Sequence, residues 1–178
     1  ALTVGDFLAM ELPEDLRGHG KHLNAHTTAA IRTRPGASVA LTSVETGGRK
    51  MSCGRVENLA FEAVMIPERS WWSPTLPEQH VWYVLQHEQV HFALMEIAAR
   101  KLNQRAVKKP EQLTVCEESS EAAAGQLSAT LDLWLAEAEE ETLRLHSDFD
   151  EATSSLYAPR TQQRWYDRVM RELEPKNP

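Results

Sequence analysis

The sequence predicts an α+β fold: a small, mostly antiparallel sheet in the N-terminal half packs on a central helix, followed by a long second helix and a short C-terminal one. Three observations predict it. Runs of β-branched and apolar residues broken by glycine turns fill the first half. An uninterrupted helical pattern then carries His87-Glu88-Gln89-Val90-His91. Beyond it, Leu127, Leu131, Leu135, Ala138, Thr142, Leu145 and Phe149 recur at spacings of three and four.

The chain opens on Val4 to Leu16, which Pro13 leaves ambiguous between helix and loop. His19, His22 and His26 follow among Gly18, Gly20 and Lys21, and read as solvated loop histidines before metal ligands. Strands are expected at Thr27 to Thr33, Ser38 to Val44 and Val56 to Ile66, with turns at Arg34-Pro35-Gly36 and Thr46-Gly47-Gly48. Trp71 and Trp72 lead into the central helix as packing residues.

That helix is expected over Ser73 to Asn103, with Thr75 as cap and Pro77 in the first turn. At about 100° per residue, His80, Val84, His87, His91, Met95, Ala98 and Leu102 share a stripe with Glu88 on its flank. Trp82, Leu85, Phe92 and Leu94 lie on other sides, so burial is expected around most of the circumference. Val107 to Pro110 connects to a second helix over Glu118 to Ser154, and Tyr157-Ala158-Pro159 separates that from a last helix over Thr161 to Leu173.

A length of 178 residues at 42% hydrophobic content suits one domain over 1–178, strand-rich over 1–70 and helical over 73–178, where the metal site would lie. The net charge of −7, with Glu137, Glu139, Glu140 and Glu141 clustered, argues against a nucleic-acid partner. No run approaches the roughly eighteen apolar residues of a membrane span. Cys53 and Cys116 lack metal-ligand spacing and are either a disulfide in an oxidising compartment or two free thiols.

Two histidines four apart on a helix can grip one ion from the same face, and in zinc hydrolases the glutamate after the first takes a proton from water that zinc has acidified. Two core histidines satisfied by backbone carbonyls are the alternative. A shared metal is favoured, because two buried rings beside a carboxylate must each find a polar partner. A catalytic zinc takes a third protein ligand. Glu96, about 140° around the helix from His91, cannot face the same ion. Asp150 is favoured as that ligand, since a second helix packed across the first can bring its stripe edge over both histidines. His146 is an alternative ligand, a partner behind the ligands, or a donor to the transition state.

Several pieces run in order through most of the chain: Cys53 with the strand Val56 to Ile66 and Pro67; His87-Glu88-Gln89-Val90-His91-Phe92 with Glu96, Ala99, Arg100, Lys101 and Leu102; Phe149-Asp150-Glu151-Ala152-Thr153; and Gln162 with Trp165. In these the chain resembles a bacterial family, domain of unknown function 922, whose members are labelled secreted zinc-dependent proteases. The resemblance implies a signal-bearing precursor, a periplasmic or secreted setting and a zincin-like site. Phe149 stands where a tyrosine is usual in the family, and Ser155-Leu156 where a His-Gly pair is usual. If that hydroxyl or that histidine supports the metal or the oxyanion, the departures imply an impaired member, or one in which His146 substitutes.

The expected function is therefore a zinc metallopeptidase acting on a peptide or protein substrate. His87, His91 and Asp150 hold Zn²⁺, Glu88 acts as base, and His146 assists the oxyanion. A cell-wall peptide amidase, a non-catalytic metal-binding module on the same scaffold, and a structural protein with core histidines are the alternatives.

Overall fold

The computed structural model describes residues 1–19, 23–154 and 157–175, so His22 and the Ser155-Leu156 pair lie outside the described residues. The fold is α+β, with seven strands and three helices among those residues: β1 (Ala25–His26), β2 (Ala29–Thr33), β3 (Ser38–Thr46), β4 (Arg49–Glu57), β5 (Phe61–Met65), β6 (Trp71–Trp72), α1 (Glu78–Lys108), β7 (Thr114–Glu117), α2 (Ser120–Thr153) and α3 (Pro159–Leu173). The chain divides into two compact units, one of Ala1–Ala30, Ala63–Ile97 and Thr142–Pro178, the other of Ile31–Glu62 and Ala98–Glu141. No helix among the described residues is long and apolar enough to cross a membrane.

The strands form three small sheets where the sequence suggested one: β1 with β6, β2 with β5, and β3-β4-β7. The expected strand over Val56 to Ile66 is interrupted at Asn58, whose φ of 53° lies in the left-handed region. β4 therefore ends at Glu57, and β5 takes a different partner. Residues 49–55, unassigned from the sequence, extend β4 as the return arm of a hairpin. Its register pairs Thr46 with Arg49, so the loop is Gly47-Gly48. Their φ values of 60° and 73° supply the double positive φ that a two-residue hairpin turn demands.

In the unit that holds this hairpin, β7 adds to the far edge of β4 with Cys116 opposite Cys53, and the two are joined as a disulfide. Gly54 lets β4 approach α2 closely, since a Cβ there would lie 3.0 Å from Leu127 Cδ1 and 3.5 Å from Ala123 Cβ. Asn103 closes the edge of β5, its side chain accepting from Phe61 N at 2.7 Å and donating to Phe61 O at 2.9 Å. The Arg105 guanidinium lies over the buried Trp134 ring, and Arg105 and Lys101 pair with Glu137 and Glu141. Trp134, outside the apolar stripe read from the sequence, is thus a main core residue of this unit.

In the other unit, Val90, Ala93, Leu94 and Ile97 of α1 bury against Phe149 of α2 and Val169 of α3, with Leu145, Trp165 and Met170 packed around them. A second cluster joins Phe7, Ala25 and Val84 to Met65, Trp72 and Tyr83. Between residues 83 and 99 no position of α1 is exposed, in keeping with a helix covered on most sides. Trp82 differs: it is 63% exposed. The helix starts at Glu78 because Ser73 to Leu76 forms a turn of its own, with Leu76 N donating to Ser73 O. It runs past Asn103 to Lys108, since no glycine or proline intervenes before Pro110.

Candidate metal centre

Two i, i+4 pairs from two helices build the site within one unit. α1 supplies His87 and His91, one turn apart on one face, and α2 supplies His146 and Asp150 in the same relationship. His87 Nε2 and His91 Nε2 stand 3.0 Å apart, and Asp150 Oδ1 lies 3.1 Å from the first and 3.0 Å from the second. The three atoms form a nearly equilateral triangle. A tetrahedral zinc with bonds of about 2.0–2.1 Å spaces its donors roughly 3.3 Å apart, so these atoms fit such an ion after a shift of a few tenths of an ångström. Among the described residues, His87, His91 and Asp150 are the one group of histidine, cysteine and carboxylate ligands that could hold a metal ion.

The remaining ring nitrogens have partners of their own. His91 Nδ1 meets His146 Nδ1 at 2.5 Å. His87 Nδ1 faces Thr153 Oγ1 at 3.5 Å, and the Thr153 hydroxyl donates to Phe149 O at 2.6 Å, so toward His87 it can act only as an acceptor. Each ligand histidine can thus carry its proton on Nδ1 and present the Nε2 lone pair to the shared point. Packing fixes the rings as well. Phe149, fully buried, stacks on His87 at 4.5 Å and meets His91 edge-on at 5.2 Å. His146 stacks on His91 at 4.8 Å.

The electrostatics centre on Asp150, whose side chain is 49% exposed. Burial pushes its carboxyl up, but hydrogen bonds to His87 and His91, reinforced by their charge, hold it well below the usual carboxylate range. Burial pushes His91 down, yet the hydrogen bond to Asp150 and the nearby charges of Glu88 and Asp150 outweigh it, and its pKa is raised. Burial, then the charge of His91, lowers His146 to about 4, with Asp150 opposing in part. His146 is therefore neutral near pH 7, as an acceptor for the His91 Nδ1 proton must be.

Glu88 is 4% exposed, and its Oε2 has no hydrogen-bond partner among the described residues. A buried carboxylate oxygen left in that state is costly unless positive charge stands nearby. A cation held by His87, His91 and Asp150 would supply it, so both the donor set and the orphaned oxygen fit a metal. His87 and Glu88 also line a cleft of about 330 Å³, with Leu23, Asn24, Ala25, Leu76, Pro77, His80, Tyr83, Val84, Thr153, Ser154 and Tyr157 completing its walls.

All five residues singled out from the sequence belong to this one region. His146 stands behind the His91 ring, outside the triangle of donor atoms. Glu96 is not part of the group that could hold a metal, and neither is His26, which lies in β1. Sequence reasoning gave no role to Thr153 or to the layer of polar residues that ties α3 to α1. There, Gln162, fully buried, donates to Tyr83 O at 2.8 Å and Gln86 Oε1 at 2.9 Å, and Gln86 donates to Gln163 Oε1 at 2.8 Å. The signal available was three glutamines, Gln86 on α1 and Gln162 and Gln163 on α3. No protein-family model, no curated protein sequence and no solved structure matches this chain.

Proposed function

We propose that the protein is a zinc-dependent hydrolase, a secreted metallopeptidase on a zincin-like core. The observation that carries this is the meeting of three ligand atoms 3.0–3.1 Å apart with Glu88, a buried carboxylate that lines a cleft and whose Oε2 has no hydrogen-bond partner among the described residues. A bound zinc ion would supply Lewis acidity, polarising a carbonyl and acidifying water.

The side chains do the rest. His87 and His91 would hold the ion through Nε2, and Asp150 would add a ligand oxygen and a negative charge. Glu88 accepts the proton of the attacking water as its oxygen bonds to the amide carbon, and returns a proton to the amine nitrogen as the C–N bond breaks. His146 and Thr153 keep the two imidazoles in the tautomer that ligation needs. The Cys53–Cys116 disulfide supports an oxidising, extracytoplasmic setting. A second reading, a non-catalytic metal-binding module, is favoured by Phe149, whose ring fills the space against both histidines and offers no hydroxyl.

The test compares wild type with Glu88→Gln for metal content by elemental mass spectrometry and for cleavage of peptides, proteins and cell-wall peptides. About one zinc per chain in both, with turnover only in the wild type, is expected. Hydrolysis retained in Glu88→Gln would remove the glutamate's role. Metal without turnover in either protein would leave the binding module.

A further inference from the structure

We infer that the cleft beside His87 and Glu88 seats a bulky apolar side chain of the substrate, so that the hydrolase acts on peptides carrying such a residue next to the bond cleaved. This rests on the hydrolase reading above and names its substrate class.

The volume, about 330 Å³, is at the small end of the roughly 300–1,000 Å³ range of ligand pockets, which suits a side chain with its flanking backbone. Leu76, Val84, Tyr83 and Tyr157 are among the apolar residues of its wall. The Tyr83 ring is fixed, because its hydroxyl donates to Thr153 O and accepts from Ala158 N, each at 3.3 Å. Tyr157 leans on it at 4.7 Å between ring centroids and at 49°. Tyr157 is nonetheless 70% exposed, an aromatic surface at the cleft that an apolar ligand would cover.

Charge points the same way. Among the described residues no lysine or arginine lines the cleft, so away from the metal that His87 would hold an acidic side chain would find no such cation and would approach the Glu88 carboxylate. Among the described residues Glu88 is also the only carboxylate in the lining, and it is buried beside the histidines. A lysine side chain would have to leave water for apolar walls and compete for the group that the reaction uses. Asn24 and Ser154 remain as polar partners for substrate backbone.

The experiment measures binding rather than turnover. Zinc-loaded protein is titrated calorimetrically with acetohydroxamate and with the hydroxamates of leucine, phenylalanine, aspartate and lysine, which share a metal-binding group and differ in side chain. Leucine and phenylalanine hydroxamates should bind about tenfold or more tighter than acetohydroxamate, and the aspartate and lysine compounds should not. Tyr157→Ala, at an exposed position, should cut the apolar preference several-fold while leaving the acetohydroxamate Kd unchanged. Equal binding of all five compounds, or preference for a charged side chain, would overturn the inference and leave the metal reading intact. Failure of zinc-loaded protein to bind acetohydroxamate at all would overturn the hydrolase reading, and the inference with it.

Discussion

His91 uses both ring nitrogens at once: Nε2 faces His87 and Asp150 at 3.0 Å, while Nδ1 meets His146 Nδ1 at 2.5 Å. The second contact places His146 to orient the His91 ring, and an effect on metal affinity is expected from it. His146→Ala should weaken zinc binding about 10–100-fold, read by competition with a calibrated chelator, while zinc at saturation stays near one per chain. Asp150→Ala and His91→Ala should each lose far more. Unchanged affinity in His146→Ala would show that the His146 contact does not support the ligand.

Removal of the metal should lower stability. Bound ligand stabilises by about 4 kcal/mol when present at a thousand times its Kd, which corresponds to roughly 8–16 °C in Tm for a chain of this size. Excess chelator should therefore lower the Tm of zinc-loaded wild type by such an amount and leave that of His91→Ala unmoved. A wild-type Tm indifferent to chelator would return His87 and His91 to the status of core residues.

The metal-free protein should lose stability on acidification. His146 has its folded pKa lowered to about 4 from 6.5, so the unfolded chain binds more protons between those values. Its contribution is complete above pH 6.5 and is lost as pH falls toward 4. Asp150, also depressed, adds a loss below about pH 3.9. His91, raised, acts in the opposite sense: its contribution is present below pH 6.5 and fades as pH rises through the folded value. Urea titrations at pH 7 and pH 4.5 should show wild type losing on the order of 2 kcal/mol more than His146→Gln. Equal losses in the two proteins would contradict the buried, neutral state of His146.

A side chain at Gly54 would crowd its neighbours. Gly54→Val would drive carbon atoms into Leu127 and Leu41, whose nearest atoms lie 3.0 and 3.3 Å from the first added carbon. A loss of about 1–3 kcal/mol is expected in denaturant unfolding. A neutral result would show that β4 and α2 can separate there at no cost.

Breaking the disulfide is expected to cost more. It spans 63 residues of sequence, and the chain-entropy relation gives about 4 kcal/mol for such a loop. Cys53→Ser with Cys116→Ser should lower Tm by roughly 8–16 °C, and a drop of only a degree or two would mean that the unfolded chain gains little from the missing link.

The site was more legible in the sequence than the sheets were. Helical periodicity is long-range within one element, so His87 and His91 could be placed on one face from spacing alone, and Asp150 from its position at the edge of an apolar stripe. The two-residue strands β1 and β6 have too few positions to show alternation, and β7 is held by its pairing with β4 rather than by its composition. Thr153 and Phe149 carry no distinctive chemistry, and only packing reveals that one stands behind His87 and the other against it. Trp82 shows the converse, a large apolar residue that the helical pattern placed inside and the structure leaves at the surface.

The four side chains that set this geometry come as two pairs, each four residues apart on an unbroken helix. One residue inserted or deleted inside either pair would rotate its partner by about 100° and dismantle the triangle. The chain joining the pairs is under no such arithmetic. Evolutionary drift should therefore spare two spacings, H-E-x-x-H and H-x-x-x-D, while the distance between them varies, and distant relatives would be recognised by that two-part signature before any overall similarity.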